Sequence, residues 1–346
     1  MRDPLLISAV RTFINTFLGV LGVLIALIVV GAGVGAMSSP YQTEDDLIEM
    51  RLLPDANGST DSLSFATPVI LQLNISGVIG MDHLTAGDID MFLRASRKGV
   101  LGKDRVKGIL LYIDSPGGTA SDSGLIHHAL LEYKQKYNIP IYAYTPSLCA
   151  SGGYMLACAA DKIYASPDSI VGSVGVKLGL GFNFWNFMQS HGIDSVSISA
   201  GKDKEKYPTF TKPQDGSYND LITIVQDSYT QFVDLVATAR SSQGLSADLL
   251  RQTYGAQVYI GSTAQKQGYV DNGTAYYREA LSDLTKSLNL ESYQVIEINY
   301  KHSPFKDLVS SKLSLWLNEA KCALFGLKHE GRLTNQLLHY YDPQSR

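Results

Sequence analysis

The chain has 346 residues, of which 45% are hydrophobic and 18% charged, with a formal net charge of −4. That composition supports one large domain or two ordinary ones and excludes wholesale disorder. No basic run appears outside short tail clusters, so no nucleic-acid partner is expected.

From Thr12 to Thr43 there is no charged residue. The apolar centre, Phe13 to Ala36, would rise about 36 Å as a helix, enough for a bilayer core of about 30 Å. Arg2 and Arg11 precede it and Glu44, Asp45 and Asp46 follow, so the N-terminus is expected in the cytoplasm and the rest across the membrane. A cleaved signal peptide is the competing reading, helped by Gly33, Gly35 and Ala36, but signal cores run only about 7–15 residues. A buried core helix is the third. The expectation is an anchor over 12–37, after a cytoplasmic segment 1–11 and before a polar stalk 38–66.

The texture then changes. Val69–Leu73 is apolar except for Gln72 and runs into a turn at Asn74–Gly77, and Asp88–Ser96 has helical spacing. Gly108–Ile113 is an uninterrupted apolar strand, typical of one buried on both faces, and leads into Asp114-Ser-Pro-Gly-Gly118. A helix over 121–136, a strand at 141–144, a turn at Thr145–Ser147, a helix over 152–160 and a strand at 162–165 follow. Alternation of this length predicts an α/β fold with crossover connections. Helical stretches are expected near 218–240 and 247–254. Beyond residue 300, Leu313, Trp316, Leu317, Ala320 and Leu324 share one helical face, so 301–346 reads as a helical tail after a domain at 67–300.

Two glycine-marked turns each follow a buried strand and each open a helix. In Ser115-Pro-Gly-Gly118, proline fixes φ and the glycines let bare N–H groups face a developing oxyanion. In Ala150-Ser-Gly-Gly-Tyr154, a serine stands at a helix start between small residues, close to the N–H of Gly152. Both turns also read as phosphate-binding or purely structural. A nucleophilic serine needs a base. No GxSxG is present, His127 and His128 read as surface histidines, and a lysine base is one choice among 29 lysines and arginines. Three cysteines without CxxC spacing and seven scattered histidines support neither a disulfide framework nor a metal site. Cys149, two residues before Ser151, sits among apolar neighbours and reads as a packed thiol, as does Cys158.

Ile113–Gly118, Ala150–Tyr154, Ala159–Ile163, Val171–Val176, Ala200–Glu205 and Gln257–Ala264 with Gly268–Asp271 resemble, in order, the signatures of the signal peptide peptidase A and SohB family. The resemblance covers roughly residues 67–275. It implies a Clp-protease/crotonase-like α/β fold of stacked ββα turns, and endopeptidase cleavage of signal peptides or other short apolar segments. Ser151 would be the nucleophile, Lys204 the general base and Ser173 the hydroxyl that orients the lysine. Gly117 or Gly118, with Gly152, would form the oxyanion hole. Lys202 and Lys206 are the rivals of Lys204, whose neighbours Asp203 and Glu205 would oppose the loss of its proton if they pointed the same way. No cofactor and no metal are implied. The implied setting is a bacterial inner (cytoplasmic) membrane, crossed once, with the catalytic domain outside the cytoplasm. Relatives of this kind assemble into homo-oligomeric rings, and in some the serine and lysine come from adjacent protomers. The alternatives are acyl-CoA chemistry of the crotonase type, or a membrane scaffold that binds peptides without cleaving them.

Overall fold

The computed structural model describes residues 4–37, 48–61, 64, 66–81, 83–179, 181–201 and 204–301, with the side chains of the first helix described at Ser8 and over 11–26. Residues 38–47 of the expected stalk, Lys202, Asp203, Cys322 and the apolar tail positions lie outside the described residues. The chain divides into two units, Met1–Asn299 and Tyr300–Arg346.

A long helix, α1 (Pro4–Met37), opens the first unit. Phe13, Phe17, Leu18 and Val23 on it stand exposed. Among the described residues no helix is long and apolar enough to cross a membrane. Part of the stretch read as stalk is structured: β1 (Ile48–Leu53) forms an edge of the main sheet.

The main sheet has six strands in the order β1, β9 (Gln294–Tyr300), β2 (Val69–Ser76), β3 (Val106–Asp114), β4 (Ile141–Thr145), β6 (Lys162–Ala165). From β9 to β6 every pairing is parallel. The apolar runs have their reason here, since β2, β3, β4 and β6 are covered on both faces and bury Ile70, Leu71, Ile109, Leu111, Ile141 and Ile163 completely or nearly so. Gln72 is tolerated inside because its amide donates to Glu297 on the neighbouring β9 and to Asn74 two residues along its own strand, and accepts from the Tyr277 hydroxyl. A second sheet stacks three short strands, β5 (Leu148–Ala150), β7 (Ile170–Gly172) and β8 (Val258–Ile260).

Together the sheets form a coil of ββα turns. β2 leads through Ile79, bridged to Gly118, into α2 (Ala86–Ala95). β3 leads through Ser115, bridged to Cys149, into α3 (Ala120–Tyr137). β4 leads through β5 into α4 (Gly152–Ala157), and β6 leads into β7. This is the stacked arrangement expected above. It sets the loop of one turn against the short strand of the next, and the site lies there.

The helix starts are set by capping. Thr85 and Asp88 form a capping box on α2, and the Thr119 side chain accepts from the Asp122 N–H on α3. After β7 the chain runs through α5 (Trp185–Ser190) and a long loop into α6 (Asn219–Ala239). The helix expected over 247–254 begins as α7 (Ala247–Leu249) and widens to a π turn over Leu250–Tyr254. After β8 come α8 (Gly261–Lys266) and α9 (Tyr277–Ser287), which packs Leu284 against the Gly108 backbone of β3. The end of α6 is pinned by Arg240, 3% exposed, which donates to Gly268 O and to the Asp271 carboxylate at 2.8 Å. That carboxylate also accepts from the Ile163 N–H of β6 and from the Gln243 amide.

His127 departs from the surface reading. It sits on the covered side of α3, a turn after Ser123, while His128 beside it is exposed. A helix border with alternating burial put the neighbouring histidines in different surroundings.

Candidate active site

The second glycine turn is a sharp elbow. β5 ends at Ala150, α4 starts at Gly152, and Ser151 between them has φ 54° and ψ −121°. That backbone is strained for a residue with a Cβ, and such residues cluster at functional positions. The elbow is held on every side. Ser151 N–H donates to Gly172 O at 2.9 Å, its carbonyl accepts from Met155, and Ala150 N–H donates to Ser115 O at 3.1 Å. Tyr154, fully buried on the first turn of α4, donates to Tyr269 O at 2.8 Å. An aromatic side chain buries about 150–250 Å², worth several kcal/mol at ~25 cal/mol per Å², which anchors the helix under the serine. The Ser151 hydroxyl caps nothing.

The first glycine turn lies directly against this elbow. A Cβ on Gly117 would stand 2.7 Å from Gly152 N and 2.8 Å from Ser151 Cβ, so only glycine fits there. Gly117 spends its N–H on Ser115 Oγ at 3.1 Å, and its carbonyl accepts from Ile79 N–H at 3.0 Å. Gly118 differs. It is the bridged partner of Ile79, and the flanking bonds are made by Gly117 O and Thr119 N–H, so its own N–H turns to the opposite side. Its nitrogen lies 3.4 Å from where a Cβ on Gly152 would be. Gly152 heads α4, where helix N–H groups have no intrahelical partner. Among the described residues neither the N–H of Gly118 nor that of Gly152 has a protein acceptor. Two free N–H groups thus converge beside Ser151.

Ser173 stands next to the elbow through strand register. Ala150 is paired with Gly172 in the parallel β5–β7 ladder, so Ser151 and Ser173 are each one residue beyond the same pair. Ser173 has a positive φ of 56° and donates its N–H to Gln257 O at 2.8 Å.

Lys204 is not gathered into this cluster. It is exposed in the loop after α5 and lines a cavity of about 350 Å³ with Ser199, Gly201, Glu205, Lys206, Lys212 and Asp215. None of the lining residues belongs to the elbow. Lys206 is committed to an ion pair with Asp220 at 3.3 Å, and Glu205 takes a hydrogen bond from Ser197. The same loop leaves apolar side chains uncovered: Val196 is 89% and Ile198 96% exposed, and Phe182, Phe184 and Phe210 stack on one another at its rim.

The other nucleophile candidates fall away. Cys149 and Cys158 are buried free thiols; burial pushes the Cys149 thiol far up and the Cys158 thiol up to about 12, so neither is a thiolate near neutrality. Burial, aided by the neighbouring His128, pushes His127 down to about 4. Sequence reasoning missed Ser115, Ile79 and Ser123, whose Oγ would stand 2.2 Å from a Cβ on Gly152. Ser115 was in view inside the first motif, but only the proline and glycines there advertise a turn.

Residues 133–291 match the model of Peptidase family S49. A putative signal peptide peptidase SppA of Enterococcus faecium is 28% identical over 268 residues, covering 75% of this chain and 73% of that protein. A putative protease of Synechocystis sp. is 32% identical over 204 residues, covering 58% of this chain and 68% of that one. Among solved structures, a mutant of the 1510-N membrane-bound stomatin-specific protease in complex with a substrate peptide aligns at a TM-score of 0.44 and 18% identity, over 72% of this chain and 98% of that one.

Proposed function

The chain belongs to peptidase family S49 and is a serine-type peptidase, and from that premise we propose a membrane-anchored endopeptidase that cleaves signal peptides or other short apolar segments with Ser151 as nucleophile. The observation that carries the reading is the elbow itself: a strained serine whose hydroxyl caps nothing, beside the free N–H groups of Gly118 and Gly152. In this reading Ser151 Oγ attacks the scissile carbonyl, and the two N–H groups stabilise the oxyanion. The base takes the serine proton and returns it to the leaving amine, and water then hydrolyses the acyl-enzyme. Gly118 rather than Gly117 serves as donor, because the N–H of Gly117 is already bound to Ser115.

Lys204 is the base in this reading, delivered by a neighbouring copy of the chain and oriented by Ser173. Its exposed position, away from the elbow, and the bare Val196 and Ile198 on the same loop support an arm that needs a second protomer to cover it. The ion pair of Lys206 with Asp220 counts against that rival. The uncharged run from Thr12 to Thr43, preceded by Arg2 and Arg11 and followed by Glu44 to Asp46, is the sequence feature that supports an anchor over 12–37, with the peptidase domain outside the cytoplasm.

The test is covalent labelling of the full-length protein in detergent micelles by a fluorophosphonate probe. Ser151 is the expected adduct, absent from Ser151→Ala. An unlabelled Ser151 in a preparation that still hydrolyses peptides would remove the serine from its role.

A further inference from the structure

Ser115 takes no part in the chemistry above, yet it is completely buried and its hydroxyl is used twice. It donates to Gly77 O at 2.6 Å and accepts the N–H of Gly117 at 3.1 Å. Its main chain pairs with the strand that leads into the nucleophile, donating to Leu148 O at 2.7 Å and accepting from Ala150 N–H at 3.1 Å. A single residue therefore touches the turn after β2, the turn that carries Gly118, and the last residue before Ser151.

The link between Gly117 and Gly118 is the peptide at stake. It is trans, so its carbonyl and its N–H point to opposite sides. The carbonyl is bound by Ile79 N–H, which turns the Gly118 N–H away from Ile79, and the Gly118 nitrogen lies 3.4 Å from where a Cβ on Gly152 would be. Were that peptide to rotate, an oxygen would replace the N–H and face the developing oxyanion. Gly117, at φ 95° and without a Cβ, has the freedom to permit such a rotation. The Ser115 hydroxyl restrains it at both ends, through the preceding N–H and through Gly77, two residues before Ile79.

We propose that Ser115 is a positioning residue whose hydroxyl holds the Gly117–Gly118 peptide in the orientation that offers an N–H to the oxyanion, setting kcat without touching substrate. The proposal rests on Ser151 as the nucleophile.

The experiment compares the full-length protein with Ser115→Ala and Ser115→Cys, the latter keeping the volume while supplying only a weak donor. The readouts are hydrolysis of an internally quenched apolar peptide and inhibition by an apolar peptide aldehyde, whose adduct on Ser151 carries an oxyanion. Losing one oxyanion donor outright costs about 10²–10³ in kcat, so a misaligned one should lower kcat roughly 10- to 100-fold with KM little changed. The aldehyde Ki should weaken by the same factor. Unchanged kcat in either variant, a fall in kcat without a matching change in Ki, or a loss that merely tracks the unfolded fraction would each overturn the proposal. Hydrolysis surviving in Ser151→Ala marks a different failure, that of the nucleophile assignment itself.

Discussion

His127 gives the fold a dependence on acid that can be worked out in advance. An imidazole in an unfolded chain titrates near 6.5, whereas burial holds this one at about 4. The folded state therefore binds fewer protons than the unfolded state throughout the interval between these values, and stability falls as pH falls through it. The loss amounts to about 2 kcal/mol at pH 5 and about 3 kcal/mol at pH 4, relative to pH 8. His127→Gln removes the titration. The assay is chemical denaturation of the intact chain in detergent at pH 8, 5 and 4, followed by intrinsic fluorescence, for wild type and variant. The wild type should lose about 3 kcal/mol more than the variant between the extremes. Parallel losses in the two proteins would mean that His127 is solvated or finds a partner when charged, and the burial argument would fail.

Three further outcomes are expected. Gly118→Ala would put its Cβ 1.9 Å from the Ile79 carbonyl oxygen, so the turn must open and peptide hydrolysis should drop by at least ~10²-fold, measured as kcat at saturating substrate. Lys204→Arg and Lys204→Ala should both be inactive while Lys206→Ala keeps most activity, and mixing Ser151→Ala with Lys204→Ala subunits during expression should restore some hydrolysis; no restoration would place the base within one chain. Arg240→Ala leaves the buried side of Asp271 without its cation and should cost about 3–5 kcal/mol of unfolding free energy, measured by chemical denaturation, with a smaller loss for Arg240→Lys.

The strands that a linear reading recovers are those with a one-dimensional signal. β3 and β6 are read within two residues at each end, β3 because the uninterrupted apolar run Gly108–Ile113 has few other uses, and β6 because the apolar Ile163–Ala165 follows the charged Asp161 and Lys162. β5, β7 and β8 are three residues each, too short to show any period, and they exist because the turns of the coil stack. β9 reads Gln-Val-Ile-Glu-Ile-Asn-Tyr, and its Glu297 looks like a surface residue until Gln72 and Asn74 meet it across the sheet. The same holds at the site. The glycines and Ser151 stand out by residue type, whereas the choice between Gly117 and Gly118 depends on the Ser115 hydroxyl having taken the N–H of Gly117 and on the Ile79 N–H having taken the Gly117 carbonyl. The neighbourhood of Ser151 and Ser173 follows from pairing Ala150 with Gly172, which no spacing of 22 positions announces.

The paired serines sit at positive φ, side by side, one at 54° and the other at 56°. Each such conformation costs about 1–3 kcal/mol for a residue with a Cβ, and glycine at either place would relieve it. Ser151→Gly should therefore melt at a higher temperature than the native chain while hydrolysing nothing. A laboratory lineage screened only for heat resistance would drift toward this dead variant within a single substitution. On the proposed role of Ser151, a natural lineage that has kept serine there has been choosing turnover over durability in every generation.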